Sequence, residues 1–131
     1  MKRAIVLVSH STMITDGLKE LIDDMVKHDE EQFTVVSAGG TDTHELGSTP
    51  TRVLSALEEV QDAEHVFVFC DMGSARMSSE TAVSFLDPSV AEKVDVLWKA
   101  PLVEGSYVCA VQCLIGESVE ATIDAIFEKI E

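Results

Sequence analysis

A histidine flanked by two serines gives this chain its clearest chemical signal. Residues 4–8 are all apolar, and Ser9, His10 and Ser11 follow them directly. A short apolar run rich in β-branched residues is typical of a strand that is buried on both faces. In an open parallel sheet, ligands bind just beyond the carboxyl ends of the strands. An imidazole titrates near neutral pH and is a good nucleophile, so we predict a chemical role for His10; the alternative is a hydrogen-bonded loop histidine.

The elements that position this histidine follow from the spacing of the other apolar residues. Steps of three and four residues indicate helices, and short runs rich in valine and phenylalanine indicate strands. Thr49 is a suitable N-cap, and Pro50 suits the first position of the helix that follows. We predict strands at residues 4–8, 33–37, 65–69 and 94–98, and helices near residues 12–27, 50–60, 74–86, 103–114 and 119–130.

This alternation of strands and helices predicts a doubly wound α/β fold. Its sheet should be mainly parallel, with right-handed crossovers and helices on both faces. Four strands of this kind most often lie in the order 2-1-3-4. We find no repeat, linker or low-complexity segment, so residues 1–131 are predicted to form a single domain.

The predicted strand order brings a carboxylate to His10. The sheet changes winding direction between strands 1 and 3, and Asp71 follows strand 3 as His10 follows strand 1. A carboxylate beside an imidazole sets the tautomer and orientation of the ring and favours its cationic form. We therefore predict that Asp71 orients His10; the alternative is an Asp71 that only caps a helix or turn.

Glycines and hydroxyl residues follow the same strand ends and predict a site for a small tetrahedral anion. Main-chain N–H groups at a helix N-terminus attract anions, and a glycine lets them approach closely. The chain has no P-loop lysine and no G-x-G-x-x-G after strand 1, so we do not predict direct nucleotide binding. The candidate phosphoryl-binding residues are Ser9, Ser11, Gly39, Gly40, Thr41, Gly73 and Ser74.

Composition excludes several classes of partner. The chain carries 24 acidic and 9 basic residues, for a net charge of −15, which disfavours nucleic acid and anionic membranes. No apolar stretch approaches the roughly 20 residues of a membrane span or forms a signal peptide. The three cysteines form no C-x-x-C pair, and Cys109 and Cys113 are predicted to be core residues, not metal ligands. We expect a cytoplasmic protein without a metal of its own.

Five segments resemble one known family. The chain is similar, from residue 4 to about residue 116, to the phosphoryl-donor subunits of phosphotransferase-system-dependent dihydroxyacetone kinases, which are related to the mannose-type enzymes IIA. Two of the matching segments, residues 71–77 and 100–105, distinguish these subunits from the mannose-type enzymes. The matching segments are residues 6–11 (VLVSHS), 38–41 (AGGT), 45–47 (ELG), 71–77 (DMGSARM) and 100–105 (APLVEG).

The resemblance implies a phosphoryl relay. HPr would phosphorylate a histidine, which matches His10, and the group would pass to ADP held on a partner subunit of the kinase. The regenerated ATP would then phosphorylate dihydroxyacetone on a third subunit. The family's strand-3 carboxylate matches Asp71. The nucleotide and its magnesium ions would belong to the partner, so no cofactor is expected on this chain, and since the chain stops at Glu131 it would take phosphate from a separate HPr.

Two other functions stay open at this stage. A mannose-type enzyme IIA would share His10 and Asp71 but pass its phosphoryl group to a transporter's IIB component. A non-enzymatic module of flavodoxin-like fold would use His10 only structurally. His44 departs from the family's usual loop, so the role of that loop is also open. Mannose-type relatives exchange a C-terminal strand between protomers, whereas a helix is predicted here, so a homodimer would need another surface.

Overall fold

Four parallel strands form one sheet in a computed structural model that describes residues 2–129. The strands lie in the order β2-β1-β3-β4, and every neighbouring pair is parallel. The predicted fold class and strand order are therefore confirmed. The elements are β1 (Arg3–Val8), α1 (Thr12–Met25), β2 (Phe33–Ser37), α2 (Pro50–Glu59), β3 (His65–Cys70), α3 (Gly73–Ser84), α4 (Pro88–Ala91), β4 (Val94–Val96), α5 (Leu102–Leu114) and α6 (Val119–Lys129).

The strand register sets the functional end of the sheet. Val8, the last residue of β1, is level with Cys70, the last residue of β3. The residues that follow these strands consequently leave the sheet side by side at its carboxyl edge. Met1, Ile130 and Glu131, which belong to the predicted domain, lie outside the described residues, as does the predicted end of the last helix.

Alternating side chains of the central strands fill two separate cores. On one face Ile5 and Leu7 pack with Phe67 and Phe69 beneath α1, α5 and α6. On the other face, the neighbouring valines of β1 and β3 pack beneath α2 and α3. Successive side chains of a strand point to opposite faces of the sheet, and both faces are buried here. The sequences of the central strands are therefore continuous apolar runs.

Two element boundaries differ from the sequence-based expectation. No helix was predicted between residues 86 and 94, but Pro88 opens the short helix α4 there, since proline suits the first turn of a helix. β4 ends at Val96 instead of residue 98. Beyond it, Ala100 donates a hydrogen bond to the Leu97 carbonyl, so the chain turns and leaves Trp98 on the surface.

The described part of the chain contains no helix whose length and apolar character would suffice to cross a membrane.

A close contact joins the loop after β2 to the start of α1. A Cβ atom added to Gly39 would lie 2.4 Å from the Ser11 carbonyl oxygen and 2.5 Å from Oγ1 of Thr15. The next residue, Gly40, has a φ of +78°, which favours glycine. These two glycines therefore let the loop after β2 lie directly against the segment that follows His10.

Gly39→Ala should lower the free energy of unfolding by about 1–3 kcal/mol, because the added methyl group meets a main-chain carbonyl that cannot move alone. Gly17→Ala is the matched control. A Cβ atom at Gly17 meets nothing within 4 Å, so better helix propensity should stabilise the protein by about 0.5–1 kcal/mol. Urea denaturation measures both; equal midpoints for Gly39→Ala and the wild type would contradict the contact.

Candidate functional site

The imidazole of His10 lies between a carboxylate and a hydroxyl at the carboxyl edge of the sheet. Nδ1 is 3.0 Å from Oδ1 of Asp71, and Nε2 contacts Oγ of Ser74. An ionised carboxylate only accepts hydrogen bonds, so Nδ1 carries the ring proton and Nε2 carries the lone pair. The ring is about a quarter exposed (26%). The nitrogen with an available lone pair is therefore Nε2, at the side of the ring that faces α3.

Asp71 is held in place by several donors. Its Oδ2 accepts hydrogen bonds from the Ser9 hydroxyl at 2.9 Å and the His10 main-chain N–H at 3.0 Å. Its Oδ1 accepts a further bond from the Met72 N–H at 2.7 Å. Burial raises the pKa of this carboxyl, but the hydrogen bonds from His10 and Ser9 and the nearby imidazole outweigh burial and hold the pKa below its usual value. Asp71 is consequently ionised at neutral pH.

The N-terminus of α3 lies beside Nε2. Gly73 and Ser74 are its first two residues, and the first N–H groups of a helix have no partner within it. A Cβ atom added to Gly73 would meet nothing within 4 Å, so this helix end is open. The partial positive charge of the helix end favours an anion there. Of the predicted phosphoryl-binding residues, Gly73 and Ser74 are the ones with open N–H groups near His10.

Ser9 and Ser11 have structural roles in this arrangement. Ser9 is fully buried, and its hydroxyl donates to Asp71 while accepting from the Ser11 N–H at 3.1 Å. Ser11 is the N-cap of α1, where its hydroxyl accepts from the Ile14 N–H at 3.4 Å. Ser9 therefore orients the carboxylate, which differs from the expectation that it contacts the phosphoryl group directly.

The segment from Gly39 to Thr41 was predicted to bind the same anion, and the structure corrects this prediction. All three main-chain N–H groups already donate within the chain. The N–H of Gly39 donates to a hydroxyl of α1 at 3.0 Å. Those of Gly40 and Thr41 donate to main-chain carbonyls at 2.9 and 3.0 Å. These residues shape the loop because their donors are used in folding.

Sequence reasoning missed the residue that fixes this loop against His10. The Gly47 N–H donates to the His10 carbonyl at 2.8 Å, and Gly47 has a φ of +129°. His44 is exposed and adopts a left-handed conformation, with a φ of 64°. Its ring makes no hydrogen bond with any residue in the 2–129 range. The glycine after Leu46 was the available signal, since a left-handed turn residue favours glycine.

Arg76 and the three cysteines make no hydrogen bond to the imidazole within residues 2–129, although Arg76 lines a cavity together with Asp71 and Gly73. Arg76 stacks on the Trp98 ring at 3.6 Å and pairs with Glu80 at 3.2 Å. Cys109 and Cys113 are buried, as predicted, and burial raises the pKa of the third thiol, Cys70, to about 11. Within residues 2–129, no three histidine, cysteine or acidic side chains converge in a way that would hold a metal ion.

Comparison with known proteins matches this site to a family. The family model for PTS system fructose IIA components (EIIA-man) covers residues 4–123. Phosphoryl donor subunit DhaM of the PEP-dependent dihydroxyacetone kinase 2 of Listeria innocua is 41% identical over 94% of this chain and 95% of its own length. The chain belongs to the DhaM branch of the EIIA-man family.

Other DhaM proteins and two solved structures are also similar to this chain. DhaM of Lactococcus lactis is 34% identical over the whole chain and 95% of its own length. The chain spans only 26% of the DhaM protein of Pantoea ananatis, at 41% identity over 96% of this chain. A crystal structure of EF1359, a protein of unknown function, superposes with a TM-score of 0.86 at 37% identity, over 96% of this chain and 93% of that one. A PTS IIA protein of Streptococcus pneumoniae shares the fold. It superposes with a TM-score of 0.63 at 14% identity, over 98% of this chain and 91% of that one.

Asp71→Asn should lower the free energy of unfolding by about 1–2 kcal/mol at pH 7, because Asn cannot accept the same set of hydrogen bonds. The pKa of Asp71 is lower in the folded protein than in the unfolded chain. The ionised carboxylate therefore contributes fully to the free energy of unfolding above the unfolded pKa of about 4, and this contribution is lost as the pH falls through the folded pKa. Urea denaturation at pH 7 and pH 3 tests this. The difference between the variant and the wild type should shrink at pH 3, and an equal difference at both values would contradict the ionised carboxylate.

Proposed function

We propose that the chain is a phosphohistidine relay that accepts a phosphoryl group from HPr on Nε2 of His10 and passes it to ADP bound on a partner subunit of dihydroxyacetone kinase. The observation that supports this most directly is the pairing of Nδ1 with Asp71, which leaves the lone pair of Nε2 directed toward the N-terminus of α3. The DhaM relatives, whose names describe phosphoryl donor subunits, support the phosphotransfer role.

In the first step, the Nε2 lone pair attacks the phosphorus of the donor's phosphohistidine. A new P–N bond forms as the donor's P–N bond breaks, and the donor imidazole leaves with the electron pair. The His10 ring keeps its Nδ1 proton and becomes a cation, which the Asp71 carboxylate stabilises. No separate base is needed, because Nε2 has no proton to lose.

The same groups serve the onward transfer. The N–H groups at the start of α3 and the Ser74 hydroxyl would contact the phosphoryl oxygens during the transfer. These contacts would position the phosphoryl group and stabilise its negative charge. An oxygen of the ADP β-phosphate then attacks the phosphorus, and His10 leaves as a neutral imidazole with its Nδ1 proton in place. Because the sequence has no P-loop lysine, we assign the nucleotide and its magnesium ions to the partner subunit.

The cell compartment and the oligomeric state stay predictions. We propose a cytoplasmic location because Cys70, Cys109 and Cys113 are all free thiols, as expected in a reducing compartment. The homodimer expected from the sequence also stays a prediction, and sedimentation equilibrium of the purified protein tests it.

The second candidate function is that of a mannose-type enzyme IIA, with a transporter's IIB component as recipient. The description of the matching family model, PTS system fructose IIA component, is the observation that keeps this alternative open. The same His10 chemistry would serve it, so the recipient alone separates the two functions.

His10→Ala should abolish phosphate uptake from enzyme I, HPr and phosphoenolpyruvate, because the imidazole that would accept the phosphoryl group is removed. Intact mass spectrometry should show the wild type gaining one phosphoryl group that is labile in acid and stable in alkali. His44→Ala is the matched control and should be labelled normally. Normal labelling of His10→Ala would refute the assignment of the acceptor.

In the same assay, Asp71→Asn should slow uptake by roughly two to four orders of magnitude, the range seen when the carboxylate of an imidazole–carboxylate pair is replaced. Circular dichroism confirms that the variant is folded at the assay temperature. An unchanged rate would mean that Asp71 only caps the turn after β3.

The recipient is identified by discharge of the phosphorylated protein. Its phosphoryl group should pass to the ADP-loaded kinase subunit and not to free ADP, because only the bound nucleotide is oriented for in-line attack. Loss of phosphohistidine is followed after each purified recipient is added. Rapid discharge to a IIB component, with none to the ADP-loaded subunit, would establish the alternative function.

A further inference from the structure

Two basic side chains gather on one indole ring at the carboxyl edge of the sheet. The guanidinium carbon of Arg76 lies 3.6 Å from the centroid of the Trp98 ring, and Nζ of Lys99 lies 5.3 Å from the same ring. Arg76 belongs to the first turn of α3, whereas Trp98 and Lys99 follow β4. We name these three residues the Arg76 cluster. The chain has only 9 basic residues and a net charge of −15, so composition does not account for two cations on one ring.

A cavity joins this cluster to the loop that holds Asp71. The cavity has a volume of about 290 Å³, and Asp71 and Gly73 line it together with two members of the cluster. Ser74, the residue after Gly73, contacts Nε2 of His10. Adjacent Cα atoms are about 3.8 Å apart, so the cavity and the reacting nitrogen meet at the same end of α3.

Arg76 is held in place with hydrogen-bond donors to spare. Its Nε donates to Oε2 of Glu80 at 3.2 Å, and its guanidinium lies over the Trp98 ring. Neither terminal nitrogen of the guanidinium donates a hydrogen bond to any group in residues 2–129, and the side chain is 40% exposed. A guanidinium presents a rigid fork of donors that suits two oxygens of one phosphate group. Stacking on Trp98 therefore fixes the fork and leaves it available to a ligand.

The charges around the cavity permit an anion. The two positive charges of Arg76 and Lys99 balance the negative charges of Asp71 and Glu80, in contrast to the large excess of acidic residues in the whole chain. Both oxygens of Asp71 already accept hydrogen bonds. The Cys70 thiol in the wall is neutral, because burial raises its pKa to about 11. The open N-terminus of α3 adds a partial positive charge.

We propose that the Arg76 cluster binds a phosphate group of the nucleoside diphosphate that takes the phosphoryl group from His10. This inference rests on the proposed function and specifies how that recipient is recognised. The two phosphates of a diphosphate share one bridging oxygen, so one of them lies in reach of the cavity while the other attacks at Nε2. A phosphohistidine donor has no second phosphate. Arg76 consequently serves the transfer to a diphosphate and has no part in transfer between two histidines.

The step needs no proton from Arg76. An oxygen of the terminal phosphate forms a P–O bond as the P–N bond to Nε2 of His10 breaks, and the electron pair of the P–N bond returns to Nε2. The guanidinium stays charged throughout and contacts the other phosphate. Its contribution is to position the attacking group in line and to offset the negative charge that gathers there. An arginine that one protein supplies to the nucleotide of another has a large effect on phosphoryl transfer in other systems.

The first test compares two discharges of the same phosphorylated protein. Wild type and Arg76→Met are labelled with enzyme I, HPr and phosphoenolpyruvate, purified, and mixed either with the ADP-loaded kinase subunit or with unphosphorylated HPr. Arg76→Met should lose phosphohistidine to the ADP-loaded subunit about a hundredfold more slowly and to HPr at the rate of the wild type. Arg76→Lys, which keeps the charge without the fork, should recover part of the rate.

Lys27→Met is the matched control. It also removes one positive charge, from an exposed pair with Asp24 beyond the end of α1, and both of its discharges should equal those of the wild type. Circular dichroism checks that each variant is folded. Equal slowing of both discharges in Arg76→Met would mean that the residue only supports the shape of the site, and it would overturn the proposal. An unchanged rate to the ADP-loaded subunit would overturn it as well.

The second test measures anion binding without any partner. Trp98 is the only tryptophan of the chain and is 39% exposed, so its fluorescence reports on the cavity. Inorganic diphosphate, titrated into the unphosphorylated protein, should change this emission in a saturable way that weakens as salt is raised. Arg76→Met should bind about tenfold more weakly, and Lys27→Met should bind as the wild type does. Equal midpoints for Arg76→Met and the wild type, or no saturable change in the wild type, would overturn the proposal.

These measurements separate the role of Arg76 from the proposed function. Failure of the phosphorylated wild type to discharge to the ADP-loaded subunit would overturn the recipient in the proposed function, whatever the variants do. Normal discharge of the wild type, with the same rate in Arg76→Met, would overturn the role of Arg76 and leave the proposed function standing. Slow discharge to the ADP-loaded subunit alone, together with weaker binding of inorganic diphosphate in Arg76→Met, is the result we expect.

Discussion

The hydrogen bond between the Asp71 carboxylate and Nδ1 of His10 joins residues that are 61 positions apart. It exists because β1 and β3 are parallel neighbours whose ends are level. The bond sets the tautomer, which leaves the lone pair on Nε2, and it orients the ring so that Nε2 faces α3. The Ser9 hydroxyl and the His10 N–H hold the carboxylate, so the chain around β1 supplies both the imidazole and part of the support for its partner.

The loop after β2 has a supporting role of a different kind. Gly39 and Gly40 let this loop pack against the start of α1, and Gly47 then donates to the His10 carbonyl. The backbone of His10 is thereby fixed from the β2 side, while its ring is fixed from the β3 side. The N-terminus of α3 stays open beside Nε2, whereas the N–H groups of Gly39, Gly40 and Thr41 donate to other groups within the fold. A rigid ring favours phosphoryl transfer, because the geometry of attack is fixed before the donor arrives.

The chain as a whole is acidic, with a net charge of −15, and several large apolar side chains are exposed. A carrier that takes and gives a phosphoryl group has to bind and release more than one protein. Moderate apolar surfaces with charged rims suit such exchange, since charge steers the encounter while the apolar area stays small.

The sequence by itself determined the fold class, the strand order and the pairing of His10 with Asp71. Both faces of β1 and β3 are buried, so these strands can be recognised in the sequence as continuous apolar runs. A parallel sheet then brings the ends of adjacent strands together. Local signals such as Thr49 and Pro50 also predicted the start of α2 correctly. The tertiary contacts determine which ring nitrogen keeps its lone pair and which backbone donors stay free. Ser9, Gly39 and Gly40 resemble anion ligands in sequence, but their hydrogen-bonding groups are used by contacts with distant residues. A hydrogen-bond donor is open or occupied only once its neighbours in space are in place, and spacing along the chain does not encode those neighbours.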